Sequence, residues 1–278
     1  LTLITGAQAT RILMDGKRAT GIKYRQGDTT RTVKAAEVIL AGGAYNSPQL
    51  LMLSGIGPAA HLSELEINVV QDAAAVGGNL QDHPAISLEY QRTQTSEFMR
   101  NLRLDKLTIN VARAWLFNTG PASQPVGFST AFVKSREGLE IPDLQFFFRP
   151  YSRLARQWLP FVYPHAPDAV SITACHLRPE SRGEVRLRST DPMAPVGFVN
   201  NFLSTEADRE AMRQAFKISR DLVGQPSFDA IRGDETAPGS DVESDVDIDA
   251  FIRETAMTVF HPIGTCRMGS DPASVVDP

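Results

Sequence analysis

The sequence predicts a mixed α/β (α+β) protein in two parts: an opening stretch with strand–turn–helix order and a longer stretch built on antiparallel strands. Three observations carry that prediction. An apolar run, EVILA at 37–41, ends in a Gly-Gly turn and leads into a helix-like pattern. From Ile86 onward short β-rich runs follow one another through polar turns, without regular strand–helix alternation. At 278 residues, 42% hydrophobic and 22% charged, the chain has material for one large domain or two ordinary ones.

The elements read as follows. LTLIT (1–5), ATRILMD (9–15), GIKYR (21–25) and the run 30–41 read as strands, with hairpin turns at Asp15-Gly16 and Gly27-Asp28. EVILA is apolar on both faces, which suits a buried strand. Ser47 as N-cap and Pro48 at the first helical position start a helix that Gly55 stops. Later strands are ISLEYQ, FSTAFVKS, DLQFFFRPYS, AVSITACHLRP and GEVRLRS, with a helical patch over 106–117. An amphipathic helix is predicted over 205–223, led by Ser204 as cap. The acidic stretch 233–247 reads as an exposed loop running into a short helix, DIDAFIRETAM.

Composition narrows the function classes. A net charge of -4 gives no reason to expect nucleic acid or an anionic membrane as partner. Two cysteines, Cys175 and Cys266, are too few for a disulfide framework and wrongly spaced for zinc; no metal site is expected. A cytoplasmic setting is the default, with peripheral attachment to the inner membrane left open. No apolar run approaches the roughly 20 residues of a membrane span. The chain opens on Leu1 inside a strand pattern and reads as part of something longer.

Two superficial motifs are set aside. Residues 55–60 match G-x-G-x-x-A, yet they follow a helix, and Pro58 falls where the turn should approach a pyrophosphate. Asp245, Asp247 and Asp249 imitate a calcium loop, but Ala250 replaces the glycine of its sharp turn. TVFHPIGTCRMG, residues 258–269, is stronger. Pro262 restrains the backbone after His261, and Gly264 and Gly269 permit tight turns around it. A histidine held so can present a ring nitrogen in one direction, as a general base requires. Spacing alone divides His261 evenly between that role and a loop-capping one. His83, in VGGNLQDHP, reads as part of a hydrogen-bonded turn with Asn79 and Asp82. His61 reads as a surface or capping residue, His176 as facing core or pocket, and His165 has no visible partner. Arg267 reads as a salt-bridge residue and Cys266 as packing.

Together these segments resemble the glucose-methanol-choline (GMC) family of FAD-dependent oxidoreductases. The carriers are AGGAYNSPQLLMLSGIGP (41–58), VGGNLQDHP (76–84), LRPESRGEVRLRSTDP (177–192), FHPIGTCRMG (260–269) and SVVDP (274–278). Within the family, the wording is most similar to the choline dehydrogenase and bacterial alcohol dehydrogenase branch.

The resemblance implies a partial FAD-binding, Rossmann-like domain over 1–85 and a substrate domain over 86–254, its antiparallel sheet flanked by helices. Residues 255–278 would return to the FAD domain with the catalytic loop. It implies FAD as cofactor, a small alcohol as substrate, and hydride transfer to flavin N5 with His261 as proton acceptor. Ala9 would place its backbone against the adenine, with Ala41 and Gly42 near the cofactor. The electron acceptor (quinone, carrier or oxygen) stays open. The family's dinucleotide turn and second catalytic residue have no counterpart here, so the chain by itself is expected to be an inactive fragment. The rival readings are a non-redox lyase on the same scaffold and a cofactor-free fragment. The strands after Ile86 would line the substrate pocket, where Trp115, Trp158 and Tyr151 serve equally well as cage or as packing.

Overall fold

The computed structural model describes residues 2–124 and 129–278, which divide into two compact units. The first unit gathers the residues up to Asp82, Ser181–Ser204 and Phe260–Pro278; the second holds His83–Glu180 and Thr205–Val259. Leu1 of the expected first strand and Phe128 of FSTAFVKS lie outside the described residues.

The first unit opens with an antiparallel meander of β1 (Ala7–Asp15), β2 (Arg18–Gln26) and β3 (Thr29–Lys34). Gly16 and Gly27 take positive φ in its two turns, as the Asp-Gly and Gly-Asp pairs predict. The register shifts between Ala9 and Arg11. One expected strand, residues 2–5, and the 37–41 end of the run expected over 30–41 are irregular. EVILA would need a strand neighbour to bury it; none of the described residues supplies one, and Ile39 is 81% exposed.

Helix α1 (Gly43–Leu53) starts five residues earlier than Ser47-Pro48 suggests, with Gly42 as N-cap and Pro48 inside. An interior proline leaves the carbonyl four residues back without its helical donor. That carbonyl, Ala44, instead accepts the Thr265 hydroxyl at 2.6 Å, so the helix passes through Pro48. It ends as expected at Ser54 and Gly55, the latter with φ +86°. The Ser54 hydroxyl takes the Ile12 amide at 2.8 Å and donates to Leu50, tying α1 to β1. The short β4 (Ile56–Gly57), α2 (Ala59–Glu64) and β5 (Gln71–Asp72) complete this stretch. Met52, Leu53, Leu62, Val76 and Leu187 form its core.

The second unit is a mixed-order antiparallel sheet. It uses β6 (Pro84–Arg92), β7 (Ser129–Val133), β8 (Leu144–Arg149) and β9 (Ala169–His176), with α3 (Glu97–Asn101) and α4 (Leu104–Phe117) between β6 and β7. Strand β10 (Glu184–Arg186) pairs with β11 (Gly197–Val199) in the first unit. Back in the second unit, α5 (Glu206–Gly224) lays Ala211, Met212, Ala215, Phe216 and Val223 against the sheet. Burying a methionine or phenylalanine side chain contributes about 1.5–3 kcal/mol. Its cap is Thr205, whose hydroxyl accepts the Asp208 amide, one residue beyond the expected Ser204.

The acidic stretch expected as a loop contains β12 (Arg232–Ala237), an edge strand paired with β6. Its charge is tolerated because Glu235, 9% exposed at the side chain, receives Arg220 at 2.7 Å and the Tyr90 hydroxyl at 2.9 Å. A charged edge strand also resists further pairing. Helix α6 (Asp245–Thr255) and β13 (Met257–Thr258) close the unit. Asp245 and Asp249 of the calcium look-alike meet Lys217 and Arg213, and Asp247 sits on its own helix cap.

Candidate active site

His261 lies on an irregular loop, its side chain exposed. The loop's backbone is fixed from one side by the VGGNLQDHP segment. Gln81 and Ile263 exchange both amide hydrogen bonds at 2.9 Å, and the Gly77 amide donates to Thr265 at 3.0 Å. The Asn79 amide side chain donates to the Gly264 carbonyl at 3.2 Å. The His261 amide itself donates to the Asp82 carboxylate at 3.1 Å. Asp82 is 4% exposed; burial, and then the charge of Asp82, pushes the Tyr45 hydroxyl upward. Gly264 has φ +97°, and a Cβ there would stand 2.3 Å from the Asn79 carbonyl. Only glycine allows that approach. The segment with Asn79 and Asp82 therefore forms the hydrogen-bonded turn the sequence predicts, and its partner is the His261 loop.

Ala9, Ala41 and Gly42 come together in the first unit. They line one pocket of about 230 Å³ with Asn46, Ser47 and Gln8. The bulged register places Ala9 there, and Gly42 caps α1 without a side-chain hydrogen bond or an acidic residue in the first turn. The exposed helix amides suit a polar or anionic group. Small side chains, helix amides and the side-chain amides of Gln8, Asn46 and Gln49, set among aliphatic residues such as Ile22 and Leu50, fit part of a dinucleotide such as FAD. The volume accommodates one portion of it. His261 is not among the lining residues, but its loop reaches the same helix through Thr265, 1% exposed, at Ala44. Sequence reasoning missed Thr265; its signal was Pro48, which strips Ala44 of its helical donor.

The other candidates separate. His61 accepts the Leu187 amide at 3.2 Å, and burial, then Arg186, lowers its basicity. His176 faces the core, 3.9 Å from Asp143 and 3.8 Å from Asp208; burial lowers its pKa against the pull of both acids. Arg267 is paired with Asp271. Cys266 is half-buried and its thiol is pushed up by burial. Tyr151 packs on Phe98, Trp158 on His165, and Trp115 is 84% exposed, so each has a different setting. Phe98 and Tyr151 line a second cavity, about 740 Å³, with Leu107, Asn110 and Pro121. Among the described residues no cluster could hold a metal ion, and no helix is long and apolar enough to cross a membrane.

The candidate site is thus a restrained histidine loop docked on an Asn-Leu-Gln-Asp turn and joined to a glycine-capped helix. The chain belongs to the GMC oxidoreductase family, whose sequence models match residues 1–85 and 179–278. It is 41% identical over 97% of its length to the oxygen-dependent choline dehydrogenase of Brucella ovis, of which it covers 49%. It is 40% identical over its whole length to the corresponding protein of Yersinia pseudotuberculosis, again covering 49%. The chain thus spans about half the length of the curated relatives it matches. Among solved structures, pyridoxine 4-oxidase from Mesorbium loti superposes with a TM-score of 0.81 at 27% identity, covering 99% of this chain and 50% of that one. An arginine-to-alanine variant of Aspergillus oryzae RIB40 formate oxidase, whose structure addresses the effect of that mutation on FAD modification, gives 0.82 at 26%, covering 94% and 50%.

Proposed function

We propose that this protein oxidises the CH–OH group of a small alcohol to a carbonyl, with FAD held by unit-one residues and His261 as proton acceptor. Ala9, Ala41 and Gly42 would hold part of the cofactor through backbone and helix amides. Bound FAD supplies an acceptor for the hydride that leaves the carbinol carbon. His261 takes the hydroxyl proton at a ring nitrogen, and the resulting alkoxide is a far better hydride donor than the alcohol. Asp82 and Thr265 position the loop and touch no reacting atom. On this reading the first unit carries the cofactor-binding residues. The observation that carries the proposal is the Thr265–Ala44 hydrogen bond, which joins the His261 loop to the helix capping the Ala9 pocket.

The test is His261→Ala in the flavin-loaded protein, mixed anaerobically with alcohols. Flavin reduction should slow about a hundred- to ten-thousand-fold, with the flavin spectrum unchanged. Near-normal reduction would overturn the base assignment. Absence of reduction by every alcohol in the unmodified protein would favour the lyase chemistry.

A further inference from the structure

The second unit's sheet has two unlike faces. On one, Ile86, Leu88, Phe146, Ile172 and Ala174 are buried. The opposite face alternates with it, and there Ser87, Thr173 and Phe147 stand in one row across β6, β9 and β8. Arg149, two residues beyond Phe147, reaches back to this row. Its Nη1 donates to the Thr173 hydroxyl at 2.8 Å, and its guanidinium carbon lies 5.6 Å from the Phe147 ring centroid.

Two features make this arrangement a donor site. Arg149 is half-buried, yet among the described residues no carboxylate pairs with it. The carboxylate of the neighbouring row, Glu89, is taken up by the Ser152 hydroxyl and the Arg153 amide. The second feature is a hydrogen count. Ser87 and Thr173, each 7% exposed, sit 2.7 Å apart and carry two hydroxyl hydrogens. One hydrogen serves the bond between them, and Thr173 already accepts from Arg149. The remaining hydrogen has no acceptor among the described residues. A buried donor beside a cation without a counter-ion calls for an anionic acceptor. The nearby Cys175 thiol, pushed up to about 11 by burial despite the charge of Arg149, stays protonated and does not fill that role.

We propose that Arg149, Thr173 and Ser87 form a carboxylate-binding subsite that selects alcohols bearing a carboxylate, that is, hydroxy acids. Naming the ligand as substrate rests on the alcohol-oxidation reading; the subsite itself does not. A planar guanidinium binds a carboxylate through paired N–H donors, and the spare hydroxyl adds a third. The same charge repels a quaternary ammonium alcohol, which separates this chain's expected preference from the choline named for its relatives.

The test is calorimetric titration of the full chain with L-lactate, acetate, uncharged lactamide and choline, at low salt. Lactate should bind at least about ten-fold tighter than lactamide, acetate should compete with it, and choline should bind weakest. Arg149→Gln should erase the preference and Arg149→Lys should keep part of it. Thr173→Val, which preserves shape, should weaken lactate several-fold with an unchanged circular dichroism spectrum. Equal binding of lactate and lactamide, a preference that survives Arg149→Gln, or no binding of either ligand would each overturn the subsite. The two readings fail separately in the flavin-loaded protein. Carboxylate preference without flavin reduction would sink the oxidation reading alone. Reduction by neutral alcohols without that preference would sink the subsite alone.

Discussion

Replacing Thr265 by valine keeps the shape of the side chain and deletes one hydroxyl. The Ala44 carbonyl then loses its 2.6 Å partner, and Pro48 has no N–H to offer in its place. Leaving a buried acceptor unmade costs about 1–3 kcal/mol, and the site is 1% exposed at Thr265, so about 2 kcal/mol is expected. Pro48→Ala supplies the missing helical donor to the same carbonyl. In that background Thr265→Val should cost about 1 kcal/mol or less. A double-mutant cycle by urea denaturation should therefore give a coupling energy of about 1 kcal/mol. Thr265→Ser serves as control, since it keeps the hydroxyl and loses about one methyl group's burial, near 0.8 kcal/mol. If Thr265→Val costs the same in both backgrounds, the hydroxyl is not replacing the helical donor, and the account of how α1 passes through Pro48 fails.

Two further outcomes follow from the same geometry. Gly264→Ala should lower stability by about 2 kcal/mol or more, because the added Cβ meets the Asn79 backbone at 2.3 Å as well as an unfavourable φ. Gly138→Ala, at φ +83° with open space around it, should cost only about 1 kcal/mol, so equal urea midpoints would contradict the close-approach argument. His176 sets a pH dependence. Its pKa is lowered in the folded chain, chiefly by burial, so below its ordinary value of 6.5 the unfolded state binds the proton more readily. The stability it contributes is whole above about pH 6.5 and is lost as pH falls toward the lowered folded value. His176→Gln should flatten the stability profile over that interval in denaturation experiments run from pH 7.5 to 5; an unchanged slope would remove His176 from the account.

Much of the fold was legible locally. Hairpins with Asp-Gly and Gly-Asp turns, the Gly55 stop and the amphipathic α5 all follow from rules that act within a few residues. The errors came where a distant group changed the local outcome. Ser47-Pro48 reads as a helix start because, locally, proline has nowhere better to sit; Thr265, over two hundred residues away, removes that penalty. The acidic 233–247 stretch reads as loop because it is charged and poor in apolar residues; Arg220 and Tyr90 pair Glu235 and admit a strand. EVILA reads as a buried strand from its apolarity, but a strand is defined by its neighbours.

For the site, the sequence by itself determined the parts: a histidine followed by a proline, glycines that permit tight turns after it, and the turn containing Asn79 and Asp82. Motif wording also pointed to the family. Which parts meet was decided only by tertiary structure. Ala9 and Gly42 are thirty-three positions apart and share a pocket because β1 packs on α1. Nothing in the sequence singles out Arg149; only the register sets it beside Thr173, with no carboxylate paired to it among the described residues. The reason is physical: a residue type fixes what a group can donate or accept, but only the packed chain fixes which donors are already used.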